Sequence, residues 1–328
     1  MLNFTRFCGE SFSIDSHFSY FPLSLLIIVI GLMAYFGEII ALVTAVLWSG
    51  TSFAFTDAAK RIGSLQLNIN RMILASFFLI IIISVAGFST DLSFKQVEYL
   101  VISGFVGLVF GDSFLFKAFQ LIGARLGMLI MALVPAISSL LAFIFLDESL
   151  SILAITGMAV TIGGIIFVIV ERSSESIPLF RSSPLGIFYG ILGALGQAGG
   201  LILAKFAFAD GELNGFVAAF IRLSSAVLIF FPVVLLIRRY KNPVRLYKKN
   251  IPALKATLIG TILGPVLGIT CSLLAIANTK IGIASTLMST MPVLMLPIAR
   301  YYYKENLNLR AITGAFIAVA GVAILFMV

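Results

Sequence analysis

The stretch PAISSLLAFIFLDESLSILAITGMAVTIGG, from Pro135 to Gly164, recurs in altered form as PVLMLPIARYYYKENLNLRAITGAFIAVAG, from Pro292 to Gly321. The two stretches are separated by a constant 157 positions. Both begin with proline, carry a glutamate near the middle and share the motif Ala-Ile-Thr-Gly. Each predicts an apolar helix, a short acidic turn and a second apolar helix. An internal repeat of this kind must be recognised before the fold is inferred.

The duplication extends upstream of these stretches. At the same spacing of 157, Gly107, Gly111 and Ala118 recur as Gly264, Gly268 and Ala275. Further upstream the spacing is 151, where Arg71 and Ala75 recur as Arg222 and Ala226. The spacing changes only where loops differ in length, as a duplicated unit requires. We therefore expect a first repeat at 33–171, a linker at 172–184 and a second repeat at 185–328.

The composition is that of a membrane protein. The chain is 60% hydrophobic and 11% charged, whereas a soluble domain is roughly 45–50% apolar and about 25% charged. A soluble fold could not bury so much apolar surface, so the bilayer is the solvent. The formal charge of +8 fits basic cytoplasmic loops, and no soluble basic domain is present to bind nucleic acid. Cys8 and Cys271 have no metal-binding or disulfide pattern.

Ten apolar blocks follow Met33, each near the roughly 20 residues that a bilayer core requires. They lie at about 38–56, 67–87, 98–120, 124–146, 151–170, 185–205, 215–237, 254–277, 281–303 and 308–327. Only helices cross lipid as single segments. The sequence therefore predicts an all-α polytopic membrane protein of ten transmembrane helices, five in each repeat. Since five is odd, the second repeat enters the membrane upside down, which predicts two inverted five-helix repeats.

The N-terminus leaves two interpretations open. Residues 21–36 are apolar but short for a membrane span. Either Met33 is the true start and 1–32 is a wrongly assigned extension, which we favour, or the segment forms an eleventh helix. Lysine and arginine concentrate in the odd-numbered loops, above all at 238–249, which places those loops in the cytoplasm. Both termini of a ten-helix chain would then lie outside, whereas an eleventh helix would place the N-terminus inside.

The chain resembles the EamA type of the drug/metabolite transporter superfamily from about Met33 to its end. The residues that carry the resemblance are Gly37-Glu38, Trp48-Ser49-Gly50, Asn70-Arg71, Gly111-Asp112, Pro135 with Asp147-Glu148, and Pro292 with Lys304-Glu305. The resemblance implies a central cavity between the halves and a secondary, ATP-independent carrier. Members of the family usually keep both termini in the cytoplasm, which differs from the orientation that the charged loops predict here.

Asp112 is the first candidate for contact with a substrate, because it lies well inside the third predicted helix. A charge at membrane depth costs a few kcal/mol or more and therefore faces a cavity or a partner. Asp112 either pairs with Lys117, Lys205 or Arg222 to hold helices together, binds a substrate or proton, or faces a water-filled entrance. Lys117 is a second candidate, five residues further on and not quite on the same face. One negative charge favours a cationic or zwitterionic solute.

Four further residues are candidates for the same cavity. Arg71 and Arg222 are repeat mates near the start of each second helix; they either extend to the membrane interface or bind an anionic group. Trp48 is the one tryptophan of the chain and lies mid-helix, with Gln197 as its repeat mate. Both could form cavity walls, and packing is the alternative.

Pro135 and Pro292 are predicted to kink the fourth helix of each half, because proline removes a hydrogen bond within a helix. Such kinks often border binding sites in carriers. The glycine steps at Gly260, Gly264 and Gly268 predict close helix packing in lipid.

These patterns predict a multi-pass protein of the inner or plasma membrane that moves a small metabolite or drug-like solute by alternating access, as an exporter. The alternatives are a non-transporting membrane scaffold and an intramembrane enzyme. We expect no enzyme, catalytic residue, metal or cofactor, because zinc-protease, P-loop and nucleophile-elbow motifs are absent from the sequence. The expected partners are membrane lipid and a small-molecule substrate. Protons are the candidate coupling ion, and a homodimer is the candidate assembly.

Overall fold

A chain this apolar must satisfy its backbone polar groups internally, and helices do so within a single segment. The computed structural model describes residues 35–145, 151–173, 183–279, 281–302, 304 and 308–325. Regular structure within these residues is helical. From Gly37 onward they form one compact unit. The predicted N-terminal segment 1–32 and the glutamates of both duplicated turns lie outside the described residues.

The first half contains helices α1 to α6. They are α1 (Phe36–Ile62), α2 (Ser64–Ala86), α3 (Phe94–Gly104), α4 (Asp112–Met131), α5 (Val134–Phe145) and α6 (Ile152–Ser173), with a π-helical segment (Phe105–Gly111) joining α3 to α4. Ser93 and Gln96 form a capping box that begins α3. Gly123 interrupts α4 with φ 79° and ψ 170°, a conformation that glycine adopts without steric cost. This break separates the third and fourth predicted blocks.

The second half contains helices α7 to α14. They are α7 (Pro184–Ala209), α8 (Gly215–Leu236), α9 (Pro243–Lys249), α10 (Ile251–Thr261), α11 (Ile269–Asn278), α12 (Ile281–Met288), α13 (Met291–Pro297) and α14 (Leu309–Leu325), with π-helical segments at Ile262–Gly268 and Ile298–Tyr302. Polar side chains cap the starts of α7, α8, α9 and α10: Ser183, Asn214, Asn242 and Asn250.

The predicted all-helical membrane class is confirmed. Within the described residues, 7 helical stretches are long and apolar enough to cross a membrane, whereas Val134–Phe145 and Leu309–Leu325 are apolar but shorter. Helix is present in each of the ten predicted blocks. The count of ten transmembrane helices stays a prediction.

Helices α6 and α14, which are fifth in their respective repeats, pack against each other through glycine. A Cβ atom built on Gly157 would lie 2.7 Å from the carbonyl oxygen of Gly321, and one built on Gly164 would lie 3.0 Å from that of Gly314. Residue numbers rise from Gly157 to Gly164 along α6 while those of the contacted residues fall from Gly321 to Gly314 along α14. The two helices are therefore antiparallel. Gly157 and Gly314 are repeat mates, as are Gly164 and Gly321.

The fourth predicted helix of each half is interrupted at the same place in the repeat. Residues 132–133 separate α4 from α5, and residues 289–290 separate α12 from α13, again 157 positions apart. Pro135 and Pro292 each lie in the first turn of the helix that follows the interruption. That position suits proline, because the first-turn N–H groups have no partner inside the helix.

Candidate functional site

The two halves interlock through their first and third predicted helices. On one side α7 packs against the π-helical segment 105–111: a Cβ on Gly196 would lie 2.5 Å from Gly111 Cα, and one on Gly200 would lie 2.9 Å from Gly107 Cα. Small residues allow helix backbones to approach this closely in lipid. The first helix of the second half therefore lies directly on the third helix of the first half.

The reciprocal contact joins α1 to the π-helical segment 262–268. A Cβ on Gly264 would lie 2.7 Å from Thr51 Cγ2, and one on Gly268 would lie 2.6 Å from Trp48 Nε1. Both π-helical segments end in the same way, because the N–H groups of Asp112 and Ile269 reach back five residues to the Gly107 and Gly264 carbonyls. Single π-helical turns occur frequently at functional sites.

A cavity lies between these interlocked elements, and its walls come from both halves. The space open to the centres of water molecules is about 100 Å³. The side chains that line it include Trp48, Thr51, Ser52, Phe55, Arg71, Asp112, Phe116, Phe119, Met128, Met131, Pro135, Gln197, Arg222, Ser272, Met288, Ser289 and Met291. Apolar side chains make up most of the wall, with four aromatic rings and four methionines among them, and the polar groups are the minority, as in many small-molecule sites.

Arg71 and Asp112 form a buried ion pair in the cavity wall. Arg71 Nη2 donates to Asp112 Oδ2 in a short contact, and only 2% of Arg71 and 5% of Asp112 are exposed. Gln197 Nε2 donates to the other carboxylate oxygen, Oδ1, at 2.6 Å. The carboxylate is thus held by α2 of the first half and by α7 of the second.

The Arg71 guanidinium is positioned by neighbours besides Asp112. Its Nε donates to Asn68 Oδ1 at 2.9 Å, and Asn68 Nδ2 in turn donates to the Leu108 carbonyl at 3.0 Å. The Arg71 Cζ atom lies 4.8 Å from the centre of the Phe116 ring and 5.7 Å from that of Phe55. Such cation–π contacts stabilise a charge that has lost its water.

Arg222, the repeat mate of Arg71, is equally buried, with 2% of its surface exposed. Its Nε is enclosed by protein and has no hydrogen-bond partner among the described residues. Its Nη2 lies against the π-helical segment, 3.1 Å from where a Cβ on Gly107 would stand. Within the described residues, Asp112 pairs with Arg71 and Arg222 has no ion-pair partner.

These contacts correct two expectations about charge. The partner of Asp112 is Arg71, and neither Lys117, Lys205 nor Arg222 is bonded to it. Lys205 instead donates to the Ile276 carbonyl at 2.6 Å. Extension of Arg71 and Arg222 to the membrane interface is also wrong, because both guanidinium groups are buried in the protein.

Lys117 is a candidate substrate-binding residue whose side chain lies away from the cavity. It is exposed and points to Gln120, with Nζ 3.4 Å from Oε1. Trp48 is half-buried and lines the cavity beside Gly268. Pro135 also lines it, whereas Pro292 borders a separate small hollow near α14.

A polar cluster next to Arg71 ties α2 to the segment before α10. Asn70 Nδ2 donates to Tyr247 Oη at 2.9 Å, and Tyr240 Oη donates to Asn70 Oδ1 at 2.7 Å. Tyr247 in turn donates to Thr257 Oγ1 at 3.2 Å. Burial raises the pKa of both tyrosines above the usual value, so the phenols stay protonated and keep these bonds at neutral pH.

Comparison with known proteins decides the family. The model of the EamA-like transporter family matches the chain twice, at residues 35–170 and 184–327. The chain belongs to the EamA-like transporter family. The predicted family is therefore confirmed, together with two EamA repeats and a role in membrane transport of small solutes. A search of curated proteins gave no match.

A solved structure described only as "Crystal structure of protein" has a similar fold. It superposes with a TM-score of 0.62 and 18% sequence identity over 89% of this chain and 96% of that one. At this identity the likeness extends to the fold alone. The two chains share this fold over most of their lengths.

Some residues of the site were missed by sequence reasoning. Asn68 and Phe116 both contact Arg71, and no periodic or motif signal singled them out. The Asn70-Arg71 motif is visible in the sequence, but the hydrogen bond from Asn70 to Tyr247 depends on packing between the halves. Among the described residues, no cluster of histidine, cysteine, aspartate and glutamate has metal-binding geometry.

Proposed function

We propose that the protein is a secondary active transporter of the inner or plasma membrane that exports a small metabolite or drug-like solute by alternating access. The observation that carries the proposal is the cavity itself. Its walls are shared by both repeats and it contains buried charges, which are costly in a membrane and mark substrate pathways. A non-transporting scaffold would not need such a site.

The proposal includes an inverted arrangement of the two repeats. It is supported by the antiparallel packing of the repeat mates α6 and α14, and by the reciprocal contacts of α1 and α7 with the opposite π-helical segments. Two halves that interlock through small residues could rock about the cavity, which is how inverted repeats expose one site to each side in turn.

Within this site Arg222, Trp48 and Gln197 are proposed to contact the solute, and Asp112 and Arg71 to hold the charged wall in place. Removing the carboxylate leaves Arg71 without its partner and frees Gln197 from Oδ1. Lys117 is not part of the proposal, because it points away from the cavity. Protons remain the proposed coupling ion, and a homodimer the proposed assembly.

Flux into proteoliposomes tests the function. The wild-type chain is screened against amino acids, nucleosides and toxic cations, and then against small organic acids. It is expected to move at least one solute saturably and to show counterflow. Asp112→Asn should lower that flux by about tenfold or more, as expected for loss of a charged hydrogen bond, whereas Asp91→Asn, in an exposed loop, should not. Absence of counterflow for every solute, or full flux through Asp112→Asn, would contradict the proposal.

A further inference from the structure

The charges of the side chains that line the cavity do not sum to zero. Among the described residues that line it, three are charged: Arg71, Asp112 and Arg222. Arg71 and Asp112 neutralise each other in a direct ion pair. Arg222 is left over, so the cavity carries one net positive charge. This reverses the expectation of a cationic or zwitterionic solute, which assumed that Asp112 was the uncompensated charge.

Arg222 is buried without a salt bridge among the described residues, and Asp112, already paired with Arg71, attracts it only through space. Its guanidinium lies between α8 and the π-helical segment of the first half, its Nε has no acceptor and its surface is 2% exposed. Burying an unpaired charge costs several kcal/mol, and such charges normally acquire a counter-ion or extend to water. Arg222 forms no salt bridge within the described residues and does not extend to the protein surface, although it lines the cavity. An anion entering the cavity would supply the missing partner.

The rest of the wall limits what kind of anion fits. The aromatic surface of the wall comes from Trp48, Phe55, Phe116 and Phe119. Its thioether groups come from Met128, Met131, Met288 and Met291. Thr51 contributes a hydroxyl that has no hydrogen-bond partner among the described residues. A guanidinium binds a carboxylate through two parallel hydrogen bonds, whereas the apolar wall suits a hydrocarbon or aromatic body.

We infer that the cavity binds a small organic monoanion, with its carboxylate on Arg222 and its apolar body against the aromatic and methionine wall. The inference rests on the proposed carrier function in that it names the substrate class of the same cavity. Arg71 is not the anchor, because Asp112 occupies it. The two repeat-related arginines thus have different tasks: Arg71 holds the wall and Arg222 receives the solute.

Three probes that share one apolar body separate charge from shape: 3-phenylpropionate, 3-phenylpropan-1-ol and 3-phenylpropylamine. Each is titrated to millimolar concentration against the full chain purified in detergent, and the shift in melting temperature gives its affinity. The acid is expected to stabilise the protein saturably, the alcohol weakly and the amine not at all. Equal or tighter binding of the amine, or no binding of the acid, would overturn the inference without any variant having to fold.

Variants then locate the carboxylate. Arg222→Gln should weaken binding of 3-phenylpropionate by about 10- to 100-fold, the range for hydrogen bonds to a charged group. Arg222→Lys keeps the charge and should retain part of the affinity. Arg245→Gln, the same change at an exposed position of α9, should have no effect. Wild-type affinity in Arg222→Gln would overturn the assignment of Arg222.

Flux of the same probes separates this inference from the proposed function. If 3-phenylpropionate binds in an Arg222-dependent way but is not moved across proteoliposomes, the anion site stands and the carrier function fails. If the protein moves the amine with counterflow, and Arg222→Gln does not slow it, the carrier function stands and the anion site fails.

Discussion

Arg71 and Arg222 are the same residue type at the same place in the repeat, yet their surroundings differ. Asp112 neutralises the first, and its repeat mate Ile269 has no charge with which to neutralise the second. The duplicated chain has therefore become asymmetric at one position, and that asymmetry leaves the positive charge that we assign to solute binding.

Replacing Arg71 by methionine should destabilise the protein, whereas replacing Arg222 by methionine should not. Arg71→Met leaves Asp112 buried without its ion-pair partner, a change that costs about 3–5 kcal/mol. Arg222→Met removes a buried charge that has no salt bridge among the described residues and should be neutral or stabilising. In one detergent, the melting temperature of Arg71→Met should therefore lie below the wild-type value, and that of Arg222→Met should lie at or above it.

Pair replacement provides the control for this prediction. Arg71→Met combined with Asp112→Leu removes both charges and should recover most of the stability that Arg71→Met loses, because an apolar pair can replace a buried ion pair. A larger loss for Arg222→Met than for Arg71→Met would show that Arg222 has a stabilising partner, contrary to the charge balance described above.

The sequence identifies these residues as candidates but does not predict which of them form an ion pair. Asp112 was recognised from its depth in an apolar helix, and the arginines from the repeat. The pairing of Arg71 with Asp112 depends on how α2 packs beside α4, and the two residues are 41 positions apart. Spacing along one helix suggested Lys117 instead, which the structure shows pointing elsewhere.

At the scale of elements, α6 and α14 pack so closely that neighbouring glycines should behave differently. A Cβ on Gly164 would lie 2.6 Å from the Ala318 backbone nitrogen, whereas one on Gly163 meets nothing within 4 Å. Gly164→Ala should therefore separate the helices and lower the melting temperature. Gly163→Ala should be neutral or gain about 0.5–1 kcal/mol from helix propensity.

The comparison is made on both purified variants at the same protein concentration. Because the substitution is identical and the residues are adjacent, composition and depth in the membrane are matched. Equal melting temperatures for Gly163→Ala and Gly164→Ala would contradict the close antiparallel contact between α6 and α14.

The elements divide into those that local sequence determines and those that packing determines. The long apolar blocks and the break at Gly123 follow from bilayer thickness and from glycine at positive φ, and sequence placed them well. The π-helical segments were not predicted. Their repeat-related glycines were noted, but the wider helical turn forms where α1 and α7 press against it, and that contact joins residues far apart in sequence.

At the scale of the whole molecule, two interlocked repeats enclose one charged cavity. Glycine at the reciprocal contacts lets the backbones of α7 and the segment 105–111 approach each other, and lets Thr51 and Trp48 of α1 lie directly against the backbone of the segment 262–268. The surface outside the cavity carries many exposed large hydrophobic side chains, as lipid contact requires. The architecture therefore joins a membrane-facing exterior to a charged cavity that neither repeat forms alone.

Alternating access is tested most directly by labelling one cavity residue from each side of the membrane. Ser272 lines the cavity, and Ser272→Cys is made in a chain with Cys8→Ser and Cys271→Ala, with Ser138→Cys, buried in α5 outside the cavity, as the control. We predict that a membrane-impermeant thiol reagent labels Ser272→Cys in both right-side-out and inside-out vesicles, while the vesicles stay impermeable to it and Ser138→Cys stays unlabelled. Labelling from one side only, or leakage of the reagent through the protein, would contradict the account.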